Sequence, residues 1–252
     1  MSKKYVFSKF ATSSERLQIE DVIANFDEYD GGLGDRNIIK TIRLKDRGVN
    51  VKSFKIPNAI NQIVYSFFRP SKARRSFEYA NKLLEKGIGT PQPLAFFEFN
   101  SGVLFKQSFY VSESISYDFL YRNLIHDFDI PDYENILRAF TRFTYKMHEN
   151  GIHFLDHSPG NTLIKKEGEF YKFYLVDLNR MEFRAMDFKT RVKNFSKLTK
   201  HKSMVKVMSD EYAKCTGENY DEIFGLMWKE TKAFQDKYWK KERFKKRIKF
   251  WK

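Results

Sequence analysis

Two short stretches decide the fold of this chain: residues 153–161 have the sequence HFLDHSPGN, and residues 175–179 have the sequence LVDLN. Four residues separate Asp156 from Asn161, and Asp177 follows at the end of a strand-like run. A carboxylate beside an acceptor hydroxyl can orient it and take its proton, while a carboxamide and a second carboxylate are oxygen ligands for Mg²⁺. The spacing is therefore the one that phosphoryl transfer requires.

Simple turns offer an alternative interpretation of the same three residues. Asp and Asn favour turns, so the Asp-to-Asn spacing alone is a weak pattern. Its combination with a preceding amphipathic helix, intervening strands and a second Asp favours a catalytic site. His153 and His157 lack a clear third ligand in the sequence, and we interpret them as loop and core histidines rather than as a metal site.

The chain changes character near residue 116. Before that point, apolar patterning and turn signals predict a β-rich half with one helix inserted at 71–86. The predicted strands cover 37–44, 49–54, 94–99 and 103–111, and residues 1–30 show only a weak first strand or helix. A hairpin turn is expected at Asp46-Arg47-Gly48.

Helices dominate the second half of the sequence. Pro131 opens an amphipathic helix that ends at Gly151, and a short hairpin is predicted at 161–165 and 170–176. The remainder, 185–252, is predicted to be helical and is strongly basic. Together the two halves predict an α+β fold.

These motifs resemble those of the protein-kinase-like superfamily. In that comparison Asp156 matches the catalytic-loop Asp, Asn161 the loop Asn, and Asp177 the metal-binding Asp of the D-F-G motif. The resemblance implies a bilobal fold, with a β-rich, nucleotide-covering N-terminal lobe over residues 1–115 and a helical C-terminal lobe over residues 116–252. It also implies that ATP and Mg²⁺ are used.

The first half resembles a kinase nucleotide site. The sequence VNVK at 49–52 is similar to the V-A-I-K strand, so Lys52 would contact the α- and β-phosphates. Glu78, in the following helix, would pair with Lys52. Lys55 and Glu85 are the alternatives for the two members of this ion pair.

Two further segments would meet the nucleotide if the resemblance holds. Gly31, Gly32 and Gly34 lie about as far before Lys52 as a kinase Gly-rich loop does, although they do not spell G-x-G-x-x-G. The sequence FYVSESI at 109–115 resembles the hinge, whose backbone from Glu113 to Ile115 would meet adenine.

Departures from the protein-kinase pattern limit the classes of acceptor that the chain could phosphorylate. Ser158 stands where protein kinases carry a lysine, and no A-P-E motif follows Asp177. From about residue 52 to about residue 198 the chain is similar to bacterial lipopolysaccharide core kinases, which phosphorylate Kdo (the acidic octulosonic sugar next to lipid A) or heptose. The turn GIGTPQPL at 87–94 carries this resemblance most strongly. It implies a sugar kinase at the cytoplasmic face of the inner membrane, with Kdo–lipid A as the favoured acceptor.

Charge points to an anionic partner. The chain has a net charge of +14, and residues 229–252 contain eleven basic and three acidic residues interleaved with aromatics such as Trp239 and Phe244. This pattern suits an anionic membrane surface, and it would also suit nucleic acid. A solvated terminal helix is the third interpretation.

Composition limits the other possibilities. A single cysteine, Cys215, excludes an intramolecular disulfide and favours a reduced, cytosolic setting. The sequence contains neither a secretory signal nor a run of 18 apolar residues. Alternative functions are a RIO-like kinase acting near RNA, another small-molecule kinase, and a non-catalytic kinase-fold module that binds nucleic acid or lipid. The non-catalytic module is disfavoured because the sequence retains all the residues that the kinase resemblance requires: Lys52, Glu78, Asp156, Asn161 and Asp177.

Overall fold

The computed structural model describes residues 2–32, 37–56, 62, 65, 69–102 and 104–249 of the chain. The chain divides into two compact units, each with its own core. The first unit comprises Met1–Ser116 and Leu175–Asn179, and the second comprises Tyr117–Tyr174 and Arg180–Lys252. Antiparallel sheets and separate helices make up the structure, so the predicted α+β class is confirmed.

A five-stranded antiparallel sheet forms the framework of the first unit. Its strands are β1 (Ser2–Phe7), β2 (Asn37–Arg43), β3 (Gly48–Phe54), β4 (Pro93–Ser101) and β5 (Leu104–Glu113), in the spatial order β1-β4-β5-β3-β2. The expected hairpin turn joins β2 to β3, and the backbone N–H of Leu44 donates to the carbonyl of Arg47 (2.9 Å).

One face of this sheet is covered by an N-terminal helix, α1 (Ser13–Ala24), and the 3₁₀ turn Phe26–Glu28. The helix begins with a capping box, in which Thr12 Oγ1 accepts from the Glu15 N–H and the Glu15 carboxylate accepts from the Thr12 N–H. Residues 1–30 therefore hold both a strand and a helix, where the sequence indicated only a weak element. Glu15 is buried and paired with Arg47. A charged residue therefore occupies a buried position of the helix and interrupts its apolar pattern.

The inserted helix predicted at 71–86 is confirmed as α2 (Lys72–Glu85). Ser71 caps it by accepting a hydrogen bond from the Arg74 N–H (3.0 Å). The helix packs on the sheet through Ala73 and Phe77, which lie against Phe54 and Phe96. Burial of these apolar groups holds the helix against the sheet, chiefly at β4 and β5.

Helices and short strands make up the second unit. Its elements in chain order are β6 (Phe119–Leu120), α3 (Asn123–His126), α4 (Tyr133–Glu149), β7 (Ile152–Phe154), β8 (Thr162–Glu167), β9 (Phe170–Leu175), β10 (Met181–Phe183), α5 (Phe188–Lys193), α6 (Lys202–Thr216) and α7 (Tyr220–Lys249). The predicted helix after Pro131 is confirmed as α4, and the predicted hairpin is confirmed as β8 and β9.

Aromatic and aliphatic side chains from these helices form the second core. Phe140 of α4 contacts Tyr121 and Phe173, while Phe195 packs on Tyr212 of α6. Among the described residues, no helix is both long and apolar enough to cross a lipid bilayer.

Candidate active site

A lysine and an aspartate from distant parts of the first unit are joined directly. Lys52 Nζ donates to Asp177 Oδ1 at 2.7 Å, and Asn179 Nδ2 donates to the same oxygen at 2.6 Å. Asp177 has a left-handed backbone conformation (φ 57°), which Asp adopts more readily than most residues. The structure thus brings together the predicted phosphate-binding lysine and the predicted metal-binding aspartate.

Strand register explains why Lys52 rather than Lys55 contacts Asp177. Successive side chains of a β-strand point to opposite faces of the sheet. Val49 and Val51 are buried on one face of β3, so Lys52 lies on the other face, where its side chain is 13% exposed. Lys55 lies beyond the end of the strand and is exposed. Of the two alternatives, the geometry favours Lys52.

The segment that carries Asp177 is held from both ends. Leu175 donates its N–H to the Gly89 carbonyl (2.9 Å), and its own carbonyl accepts from Thr90 Oγ1 (2.8 Å). On the other side, Arg75 Nη1 donates to the Asn179 carbonyl (2.8 Å). The turn at 87–94 therefore positions Asp177. Thr90 belongs to the GIGTPQPL motif, which the sequence already distinguished. No local pattern in the sequence revealed Arg75.

Glu78 does not form the predicted ion pair with Lys52. Its carboxylate accepts from Arg74 Nε at 2.7 Å, and this contact raises the pKa of the Arg74 guanidinium. The physical reason is spacing, because residues four apart on a helix are neighbours on one face. Glu85, the alternative partner, is exposed at the end of α2.

The loop that follows β7 holds the predicted catalytic base. Asn161 Nδ2 donates to the Asp156 carbonyl (2.8 Å), which leaves the Asn161 Oδ1 atom turned away from this bond. Lys197 Nζ lies 3.7 Å from Asp156 Oδ1, and Arg180 Nη1 lies 3.8 Å from Asp156 Oδ2. The Asp156 side chain is 32% exposed, so its carboxylate is flanked by cations and remains accessible.

Two histidines are buried in the core of the second unit, and one of them, His157, belongs to this loop. His157 lies among the rings of Phe140, Phe154 and Phe195, and burial lowers its pKa to about 3. His148 contacts the Tyr212 hydroxyl through Nδ1 (2.9 Å), and burial lowers its pKa to about 4. His157 is thus a core residue, as interpreted from the sequence.

Acidification is expected to destabilise the protein through these histidines. Both stay neutral in the folded state, whereas an unfolded histidine takes up a proton near pH 6.5. The unfolded state therefore binds more protons below pH 6.5, and the free energy of unfolding falls. From pH 7.5 to pH 5.5 the expected loss is about 1.4 kcal/mol for each histidine, measurable by urea denaturation.

NMR titration and a histidine variant test the same effect. In NMR spectra of the folded protein, the ring signals of His148 and His157 should not titrate between pH 8 and pH 5. A His157→Gln variant should lose about 1.4 kcal/mol less than the wild type over the stated range. Normal titration of both rings would contradict the assignment.

The glycine segment precedes β2. Gly31 has a φ of 77°, and a Cβ atom at Gly32 would lie 2.8 Å from Ile38 Cγ2, so this backbone needs glycine. Lys40 is buried and donates to the carbonyl of Tyr29 (2.5 Å), just before the glycines. Gly34, the third predicted glycine, lies outside the described residues.

The hinge-like segment follows β5. The Glu113 N–H donates to the Gln92 carbonyl, and the Ser114 N–H donates to the Gly48 carbonyl, both at 2.9 Å. An adenine ring would therefore have to be recognised by other backbone groups between Glu113 and Ile115.

Comparison with known proteins adds independent evidence. The sequence model of the lipopolysaccharide kinase (Kdo/WaaP) family matches residues 58–223, which is more than half of the chain. A solved structure, WaaP in complex with acyl carrier protein, has a TM-score of 0.64 at 17% sequence identity and covers 92% of this chain and 98% of that chain. The chain therefore shares the fold of that structure. No curated protein sequence is significantly similar to this chain.

Proposed function

Because the chain belongs to the lipopolysaccharide kinase (Kdo/WaaP) family, we propose that it uses ATP and Mg²⁺ to phosphorylate an inner-core sugar. Kdo is the favoured acceptor and heptose the next. The observation that carries this proposal is the 2.7 Å bond between Lys52 and Asp177, which are 125 residues apart. It joins two residues to which the resemblance to kinases assigns separate roles, phosphate binding and metal binding.

Asp156 would act as the catalytic base. Its carboxylate takes the proton of the acceptor hydroxyl as that oxygen attacks the γ-phosphorus of ATP. A new oxygen–phosphorus bond forms, the bond to the β,γ-bridging oxygen breaks, and ADP leaves with the electron pair. Lys52 would neutralise charge on the α- and β-phosphates, Gly31, Gly32 and Gly34 would cover them, and the backbone from Glu113 to Ile115 would meet adenine.

Asn161 and Asp177 each carry an oxygen donor of the kind that a hard divalent cation prefers. Asn161 Oδ1 is left available because its Nδ2 atom is engaged by the Asp156 carbonyl, and Asp177 supplies carboxylate oxygen. We therefore assign Asn161 and Asp177 as the residues that would hold Mg²⁺. The ion, when bound, neutralises negative charge on the phosphates of the nucleotide.

Electrostatics favours Kdo over heptose. Lys197 and Arg180 flank Asp156, and the whole chain carries a net charge of +14. An acidic sugar complements such surroundings, whereas a neutral heptose does not use them. The cations would select the acceptor and would leave the phosphoryl-transfer chemistry unchanged.

The C-terminal helix would hold the enzyme at the cytoplasmic face of the inner membrane. On α7, Trp239 is 53% exposed and Phe244 is 65% exposed, and both lie among lysine and arginine residues. Each such cation near an anionic bilayer contributes about 1 kcal/mol. Flotation with vesicles that contain phosphatidylglycerol, but not with neutral vesicles, tests this attachment. Because the solved structure is of WaaP in complex with acyl carrier protein, an acyl carrier protein is an alternative partner for this chain.

A transfer assay with an acceptor panel tests the proposal. Labelled ATP and Mg²⁺ are supplied with Kdo–lipid A, lipid A lacking Kdo, a heptose-containing core or a generic protein, and Asp177→Ala serves as the blank. Label on Kdo–lipid A is expected. Label on the heptose-containing core alone would refute the preference for Kdo, and no label despite ATP binding would refute the sugar-kinase proposal. Salt-sensitive copurification of RNA would then favour the RIO-like alternative.

A further inference from the structure

A cavity of about 610 Å³ opens beside Asp156 in the second unit. Its size lies within the range of small-molecule binding sites. The catalytic loop forms one wall, with Asp156 and Gly160, and α7 forms another, with Phe234 and Tyr238. The cavity therefore combines the proposed base with an aromatic surface.

The charged side chains that line the cavity are mostly cationic. Among the described residues they are Arg122, Lys197 and Lys200, with Asp156 as the one carboxylate, and neutral polar groups of Ser158, Thr199 and Gln235 lie beside them. Lys197 is the one cation of this group that faces Asp156. In the part of the chain that the structure describes, Arg122 and Lys200 have no ion-pair partner. The cavity thus holds positive charge that the protein itself does not neutralise.

Arg122 lies directly against the catalytic loop. A Cβ atom at Gly160 would come within 2.7 Å of Arg122 Nη2, so the guanidinium rests over a residue that has no side chain. Gly160 immediately precedes Asn161 and follows Asp156 by four residues. An anion held by Arg122 would therefore lie beside the proposed base.

We propose that this cavity is the acceptor site and that an anionic group of the acceptor binds to Arg122, Lys197 and Lys200. The sugar would pack its apolar face on Phe234 and Tyr238 while one hydroxyl reaches Asp156. This inference rests on the proposed kinase function, since that function makes the ligand an acceptor. It adds a specificity role for the cations and makes α7 part of the binding site.

The position of α7 links the cavity to a lipid surface. Tyr238 lines the cavity, and Trp239, the next residue, is exposed to solvent. Phe244 is exposed further along the same helix. A glycolipid whose sugar occupied the cavity would therefore have exposed aromatic side chains of α7 beside its lipid portion.

Binding measured without ATP tests the cavity. The probes are free Kdo, its neutral methyl ester and inorganic phosphate, titrated into the full chain and followed by NMR. Arg122→Gln and Lys200→Gln are each expected to weaken Kdo binding about tenfold, because each removes a charge-assisted hydrogen bond. The matched control is Lys206→Gln, which removes an exposed lysine of α6 outside the cavity and should leave binding unchanged.

The probes also distinguish two sources of the anion. Tighter binding of Kdo than of phosphate supports recognition of a sugar carboxylate, and the reverse order supports recognition of a phosphate on the glycolipid. Either result supports an anion site provided that it depends on Arg122 and Lys200. Unchanged binding in both variants, or equal binding of Kdo and its methyl ester with no binding of phosphate, would overturn the proposal.

This test separates the cavity from the kinase. Binding requires neither nucleotide nor turnover. Charge-dependent binding without phosphoryl transfer would therefore contradict the proposed kinase function and still support the anion site. If Arg122→Gln, Lys200→Gln and the wild type all phosphorylate Kdo–lipid A with the same acceptor KM, the proposed acceptor site is contradicted and the kinase function is not. Circular dichroism of each variant establishes that it is folded.

Discussion

Replacing Asp156 by asparagine is expected to lower the turnover number for phosphoryl transfer by roughly a thousandfold. The change removes the base but keeps the shape of the side chain. Folding should be preserved, because the side chain is 32% exposed and its contacts to Lys197 and Arg180 are 3.7 and 3.8 Å long. The hydrogen bond from Asn161 goes to the backbone carbonyl and survives the substitution. The affinity for ATP should therefore stay close to that of the wild type.

The matched control for this variant is Asp129→Asn. It removes the same charge from an exposed position in the same unit and should leave turnover unchanged. Label transfer gives the turnover number, and equilibrium binding of ATP gives the affinity. A rate for Asp156→Asn within tenfold of the wild type would show that Asp156 is not the base.

Replacing Lys52 by methionine is expected to lower kcat/KM for ATP by about a hundredfold or more. Methionine keeps the length of the buried stem but removes the ammonium group that binds Asp177 at 2.7 Å. Both the positive charge that we propose contacts the phosphates and the orientation of the Asp177 carboxylate would be lost. Steady-state kinetics with varied ATP measures the change.

Lys55→Met is the matched control, since Lys55 lies three residues away and is exposed. Equal losses in the two lysine variants would contradict the assignment of Lys52. Glu78→Gln provides a second comparison, because Glu78 binds Arg74 in the structure and should change activity only slightly. A loss as large as that of Lys52→Met would instead make Glu78 the partner of Lys52 during turnover.

Local patterns in the sequence were sufficient for much of the architecture. Apolar spacing and end signals predicted α2 and α4, and the turn at Asp46-Arg47-Gly48 predicted the β2–β3 hairpin. These features depend on neighbours within a few residues, which a sequence displays directly. The resemblance to kinases selected Lys52 and Asp177 as separate site residues, and the direct bond between them was not predicted.

Other features depend on contacts between distant residues. Helix α1 was indicated only weakly because Glu15, a charged residue, is buried against Arg47. The predicted pairing of Glu78 with Lys52 was wrong, because Glu78 instead binds Arg74, its neighbour on the same helix. No spacing rule joins Arg122 to the loop at Gly160, so the cavity became visible only in the folded chain.

Single-turnover transfer from labelled ATP to Kdo–lipid A tests the proposed sugar-kinase activity directly. Wild-type and Asp156→Asn protein are compared at concentrations where both bind the same amount of ATP. We expect rapid labelling of the Kdo sugar by the wild type and a rate lower by about three orders of magnitude in the variant. Equal rates in the two proteins, or no labelled sugar from either despite bound ATP, would contradict the proposed function.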